Sequence, residues 1–176
     1  MLSWLRVASV RKAFSHANLT DNRDTGDYIE GKVMPEFDYI LKSGFAEMDF
    51  NQVTCMLKNA WWIAGIKEDE VVKGAQNSAL VVGAFTREGL QVGYARVISD
   101  KTRFAYILDV YVDESHRRMR VAQNMIKYIL SHPELKDVYQ WALKTRDAHG
   151  VYNKVGFHQL SKPEVWMEIR HERPKR

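Results

Sequence analysis

The sequence predicts a mixed α/β domain, an antiparallel meander followed by a strand–helix–strand crossover. Three observations carry this prediction. Leu80 to Phe85, Val92 to Ile98 and Phe104 to Val112 are β-rich runs joined by connectors of hairpin length. The third run leads through a one-sided helical pattern into a further apolar run, Val138 to Leu143. Two strands joined through a helix of that length lie parallel, so the sheet changes direction once.

The elements follow in order. Val53, Met56, Leu57, Ala60 and Trp61 fall at i, i+3, i+4, i+7 and i+8, the stripe of an amphipathic helix that ends before Gly65. A second short helix fits Lys67 to Asn77. Arg87-Glu88-Gly89 and Ser99-Asp100-Lys101-Thr102 supply the turns of the meander. Val121, Met125, Tyr128 and Ile129 share one helical face, and His132-Pro133 stops that helix. Ala148, Val151, Tyr152 and Val155 make another one-sided helix, closed by Gly156 where a left-handed residue is common. Phe157 to Leu160 and Val165 to Ile169 read as the last strands.

A chain of 176 residues with 45% hydrophobic content is one ordinary domain with a core of its own. Asp21 to Gly31 is polar, acidic and glycine-bearing, so residues 1–34 read as an extension and linker and residues 35–176 as the domain. The net charge of +4, from 26 Lys and Arg against 22 Asp and Glu, suits an anionic ligand better than a nucleic-acid surface. A single cysteine, Cys55, excludes an intrachain disulfide and suggests a reducing, cytoplasmic setting. Residues 1–20 carry Arg6, Arg11 and Lys12 with no acid, a pattern shared with organellar transit peptides, so a mitochondrial location is the alternative. No apolar run approaches the roughly 18 residues that span a bilayer. Neither HExxH nor CxxC occurs, and no metal is expected.

The stretch richest in charge is Ser115-His116-Arg117-Arg118-Met119-Arg120-Val121-Ala122, at the turn from strand to helix. Free backbone N–H groups and the positive end of a helix dipole meet at such a turn, which makes it a natural seat for an anion. A solvated basic turn is the plainer reading of the same residues.

"DVYVDESHRRMRVA" and "DAHGVYNKVGF", in this order of elements, resemble the GNAT superfamily of acyl-CoA-dependent N-acetyltransferases. "GYARVISDKTRFAYILDVYV", "SHPEL", "TRDAHGVY" and "PEVWMEI" are similar to a group of small bacterial-type members whose acceptors are mostly unassigned. The resemblance covers about Phe37 to Ile169. It implies two splayed parallel strands, with the pantetheine of acetyl-CoA paired to backbone groups of Val110, Tyr111 and Val112. It also implies a pyrophosphate resting on the amides of Arg117, Arg118, Met119, Arg120, Val121 and Ala122. The chain departs from the family pattern at Arg120, which stands where the motif has glycine, and at Arg118, where a second glycine is common. Glycine serves there because it has no Cβ and adopts left-handed dihedrals freely.

The same resemblance gives Tyr152 the role of proton donor to the departing thiolate, and also a place beside the cofactor. A phenol with a pKa of about 10 is protonated when a thiol with a pKa of about 8.5 leaves. A core tyrosine is the alternative for that position. The attacking amine needs a base, and Asp109, Glu47 or a chain of waters are the candidates. Asp109 interrupts an apolar strand, and an acid simply held by Arg96 is its plainer account. Trp61, Trp62, Phe45 and Tyr94 are candidate linings of the acceptor pocket, and His149 a candidate proton shuttle. The leading expectation is direct acetyl transfer from acetyl-CoA to a primary amine of an unidentified acceptor. A GNAT fold that binds CoA or a protein partner without turnover is the alternative. The expected partner is the amine acceptor, with no nucleic acid and no membrane, in a monomer or homodimer.

Overall fold

The computed structural model describes residues 38–172. The extension and linker over residues 1–34, the start of the domain and the basic stretch within residues 1–20 lie outside them. Among the described residues, a five-stranded sheet runs in the order β1 (Ile40–Ser43), β2 (Leu80–Phe85), β3 (Gln91–Ser99), β4 (Phe104–Val112) and β5 (Gln140–Leu143). β1 to β4 pair antiparallel, and β5 joins β4 in parallel through α3 (Val121–Leu130). The meander and the parallel crossover are as the hydrophobic periods predict. β1 is an addition that the sequence reading missed.

Helices cover both faces of the sheet. α1 (Phe50–Lys58) and α2 (Glu68–Gln76) close one face over Val81, Phe85, Tyr94 and Tyr111. α3 and the short α4 (His149–Asn153) close the other over Val82, Ala95, Val97 and Ile107. Each helix starts where local chemistry allows it. The Asp49 carboxylate accepts from Gln52 N–H at 3.0 Å at the head of α1, and the Glu70 carboxylate accepts from Lys67 N–H at 3.2 Å at the head of α2. Val121, Met125, Ile126 and Ile129 of α3 are all buried against the sheet.

Two expectations are corrected. The first helix ends at Lys58, because Asn59 closes it by returning its side-chain amide to Cys55 O at 3.3 Å. Ala60 keeps its apolar place, but Trp61 falls outside the helix and is 54% exposed. The two last strands, Phe157 to Leu160 and Val165 to Ile169, are not strands. A short turn at Pro163–Val165 replaces part of the second, and Val165, Met167 and Ile169 are 68%, 98% and 88% exposed. Their apolar alternation is genuine but meets no partner ladder. The segment is instead fastened by side chains, Trp166 against Phe104 at 6.2 Å and Glu168 to Lys144.

The energetics follow the burial. Ile126, fully buried between α3 and the sheet, has no route to water when truncated. Ile126→Ala is expected to lower the unfolding free energy by about 2–5 kcal/mol, against about 0.5 kcal/mol for the half-exposed Ile98→Ala, as urea denaturation will measure.

Candidate active site

β4 has two halves. Phe104 to Ile107 pair with Gln140 to Leu143 of β5, and beyond that register β4 continues five residues to Val112 without a β5 partner. The strands part at a bulge. Tyr94 opposes Tyr111 and Arg96 opposes Leu108, so the single Ala95 faces both Asp109 and Val110. Asp109 takes a left-handed φ of 54°, and an extra residue of this kind bends its strand and steepens the twist.

Backbone groups along a strand alternate between its two edges. Asp113 N–H donates to Val92 O at 2.8 Å, toward β3. Tyr111 therefore also addresses β3, while Val110 and Val112 present their polar groups to the gap left by β5. The Val112 carbonyl is already in use, since Arg117 Nε donates to it at 3.1 Å. The same guanidinium donates to Glu114 at 3.1 Å and lies 5.6 Å from the Tyr111 ring. Arg117 is thus a strap over the end of β4, with its cation engaged.

The loop that follows takes left-handed turns without glycine. Arg118 and Arg120 have φ of 66° and 60°, the left-handed region that glycine would occupy at no cost. No side chain caps α3, and its first internal bond runs from Asn124 N–H to Arg120 O at 3.0 Å. Among the described residues, the N–H groups of Arg118, Met119, Arg120, Val121, Ala122 and Gln123 have no protein acceptor. The guanidinium groups of Arg118 and Arg120, both exposed, have no ion-pair partner there either. The loop is tethered from outside by Tyr39, whose hydroxyl hydrogen-bonds His116 Nδ1 at 2.9 Å and donates to Met119 Sδ at 2.9 Å. The sequence reading missed this tether, because nothing local to Tyr39 points across the fold to the loop.

Tyr152 is set by the C-terminus of α4. Phe157 N–H returns to Tyr152 O at 3.1 Å and Gly156 N–H to Asn153 O at 3.2 Å, with Gly156 at φ 96°. This left-handed cap brings Phe157 back against the Tyr152 ring, edge to face at 6.1 Å. Tyr152 is buried in the α3-side core, and that burial pushes its phenol up to about 12. Its hydroxyl has no hydrogen-bond partner among the described residues, yet it is not sealed from the surface as the Tyr94 hydroxyl is. Tyr152 is therefore a core residue, as its alternative account expects, and its hydroxyl has no partner among the described residues.

The remaining candidates separate. Asp109 accepts from Arg96 Nε at 2.5 Å, and the two side chains are largely buried. Arg96 also reaches Gly74 O and Ser78 Oγ at 3.5 Å, which ties the bulge to the end of α2. Glu47 is exposed and paired with Lys42 at 3.3 Å. Tyr94 is fully buried beneath α1 and α2, so the expectation that it lines an open pocket is corrected. Its phenol is pushed up by burial and has no hydrogen-bond partner. Trp61 and Trp62 are exposed, with Trp62 6.5 Å from Tyr111. Phe45 stacks on Phe50 at 4.6 Å. His149 opens α4 in an exposed position, and Cys55 is exposed on α1.

Two measurements test this geometry. Asp109→Asn removes one partner of a largely buried pair and leaves the Arg96 charge uncompensated, so unfolding free energy should fall by about 3 kcal/mol in urea. Tyr152 has a folded-state pKa above its unfolded value of about 10, so its contribution to stability is complete below pH 10 and is lost as pH rises toward about 12. Phenolate absorbance, wild type minus Tyr152→Phe, should show one late titration near pH 12.

The family model of the acetyltransferase (GNAT) domain matches residues 77–159. A crystal structure of a protein assigned to the GNAT family from Xanthomonas campestris pv. campestris is 30% identical, with a TM-score of 0.71 over 78% of this chain and 95% of that one. A GNAT-family acetyltransferase from Streptococcus pneumoniae is 21% identical, with a TM-score of 0.62 over 77% and 99% of the two chains. A predicted acetyltransferase with acetyl-CoA from Clostridium acetobutylicum is 15% identical, with a TM-score of 0.54 over 75% and 96%. The last two are likenesses of fold. Comparison with curated proteins gives no match. With its splayed β4 and β5, its anion-ready turn into α3 and a relative of this identity and coverage, the chain belongs to the GNAT acetyltransferase superfamily.

Proposed function

We propose that the protein transfers an acetyl group from acetyl-CoA to a primary amine by direct attack. The observation that carries this is the run of N–H groups from Arg118 to Gln123 with no acceptor among the described residues, joined by the exposed guanidinium groups of Arg118 and Arg120, at the end of a strand with an open edge. Diphosphate, pantetheine and thioester each find a complement along that line. The diphosphate meets N–H groups and cations, and the amide-rich pantetheine meets the open edge at Val110 and the N–H of Val112, whose carbonyl Arg117 holds. Arg118 and Arg120 add charge-assisted hydrogen bonds that a glycine loop lacks.

The chemistry needs one bond made and one broken. The amine nitrogen bonds the acetyl carbon, the carbon–sulfur bond breaks, and the sulfur leaves as thiolate. Tyr152 donates its phenolic proton to that sulfur and is reprotonated from solvent. The phenol is protonated throughout the neutral range, as an ordinary tyrosine is, and because burial makes it a weaker acid its part is to hydrogen-bond the sulfur as charge builds there, with the proton following as the thiolate departs. The nitrogen becomes strongly acidic as the new bond forms, so even an ion-paired carboxylate suffices to take its proton, and Asp109 on β4 is the base of this reading. Rate comes chiefly from holding the two reactants in register, which can supply about 7–11 kcal/mol of the barrier.

The alternative, a module that binds CoA without turnover, rests on Arg120 in place of glycine. The φ of 60° at Arg120 favours the active reading, because the loop keeps the backbone path that glycine would give. That conformation is expected to cost on the order of 1–2 kcal/mol, small beside the charge it brings to the phosphates.

The test is acetyl-CoA-dependent thiol release with a panel of amines, alongside calorimetry of CoA binding. Tyr152→Phe should lower kcat about 100-fold or more with the KM for acetyl-CoA nearly unchanged. Joint replacement of Arg118 and Arg120 by alanine should weaken CoA about tenfold or more and leave pantetheine, which lacks the diphosphate, unaffected. Absence of both CoA binding and thiol release would sink the reading.

A further inference from the structure

The turn between α1 and α2 is anchored by the buried Ala60 and Ile66, and the N–H of Ile63 and Ile66 return to Ala60 O and Ile63 O at 3.1 Å. This anchoring leaves Trp61 and Trp62 outside the core, 54% and 42% exposed. Neither indole is needed to close the α1/α2 cluster. Their rings stand nearly perpendicular, 83° apart with centroids at 5.7 Å, and form a corner with one ring as wall and the other as floor. Trp62 lies 6.5 Å from Tyr111, in the half of β4 that has parted from β5.

Arg146, in the connection that follows β5, crosses to this corner and sets its guanidinium 3.9 Å from the Trp61 ring centroid. The contact joins the α1–α2 turn to the β5–α4 connection across the gap. Its ion-pair partner is the adjacent Asp147 at 3.2 Å, an exposed pair of little weight. The cation therefore occupies the aromatic face that would otherwise attract a second ammonium group.

The geometry points to an acceptor that is a primary amine joined by a short tether to an aromatic ring, with the ring seated in the Trp61–Trp62 corner and Arg146 excluding polyamines. An aromatic ring can stack on one indole and meet the other edge-on at the same time, the two arrangements that aromatic pairs prefer. Tyr111, 6.5 Å from Trp62, stands on β4 two residues after Asp109, so the corner adjoins the half of β4 that carries the base of the proposed mechanism. The inference rests on the acetyl-transfer reading for its chemistry, though not for the binding of the ring.

Kinetics and binding together test it. Phenylethylamine should exceed spermidine in kcat/KM about tenfold or more, and exceed cyclohexylethylamine severalfold because stacking needs an aromatic face. Trp62→Ala should raise the KM for phenylethylamine about tenfold while the KM for acetyl-CoA stays within about twofold, and Trp62→Phe should restore most of it. Arg146→Met should raise the use of spermidine severalfold. Spermidine equal to phenylethylamine, or a Trp62→Ala defect shared by every amine, overturns the inference while acetyl transfer stands. Should no amine be turned over, tryptophan fluorescence decides: quenching by phenylethylamine that is lost in Trp62→Ala supports the aromatic seat, and no quenching overturns it.

Discussion

The ion pair between Arg96 and Asp109 is the contact on which the rest of the site depends. A left-handed aspartate in the middle of a strand is strained, and the bulge survives only because its surroundings over-determine it. The Asp109 carboxylate is fixed to Arg96 at 2.5 Å, and Arg96 is in turn lodged against Gly74 and Ser78 at the end of α2. A Cβ at Gly74 would stand in ordinary van der Waals contact with the guanidinium carbon, at 3.5 Å, so the arginine packs directly on this turn of the helix. The carbonyl end of α2 adds a favourable negative potential for that cation. Pairing between β4 and β5 stops at Ile107, two residues before the bulge. Without the bulge the twist would stay even, and the sheet would have no reason to open there.

Opening the sheet would expose unpaired strand edge, a liability in most proteins. Here the edge is short and its far end is covered. Arg117 takes the Val112 carbonyl, and Tyr39 holds His116 and Met119 from the other side of the loop. The turn from strand to helix is thereby stiff enough to keep two arginines left-handed. Arginine in that conformation does what glycine does for the backbone, and its side chain adds a cation that glycine cannot. The strain is offset by the apolar face of α3, whose Val121, Met125, Ile126 and Ile129 are buried whatever the loop does.

Much of this was legible in the sequence because it is written in local periods. Period two gave the meander, period 3.6 gave α3, and the run from Asp109 to Ala122 marked the turn from strand to helix whose N–H groups from Arg118 to Gln123 stay without acceptors among the described residues. What was not legible is what depends on distant partners. Val165, Met167 and Ile169 alternate as a strand would, yet a strand also needs a neighbour to bond with, and no local pattern shows whether one is present. Trp61 fits the stripe of α1 by spacing, but Asn59 ends the helix first and turns the indole outward. Tyr94 looked like a pocket residue by type and proved to be core, because α1 and α2 both pack over it. Arg146 gave no sign of crossing to Trp61, and β1 is too short and too mixed to stand out from a loop.

The same contact that makes the groove also limits how the groove can work. A carboxylate that must hold a bulge cannot be moved freely to suit a proton, and replacing it would remove the support of the bulge together with the base of the proposed mechanism. A strong base at this place would conflict with the ion pair that keeps the strands apart. The arrangement therefore favours a reaction whose proton becomes easy to lose only after attack, with the demanding proton transfer placed elsewhere. Tyr152, to which the proposed mechanism gives that second duty, lies on the opposite face, held by its cap and by Phe157, where burial raises the phenol. In the proposed mechanism, putting the two duties on opposite faces of the sheet lets each residue keep the environment its chemistry needs.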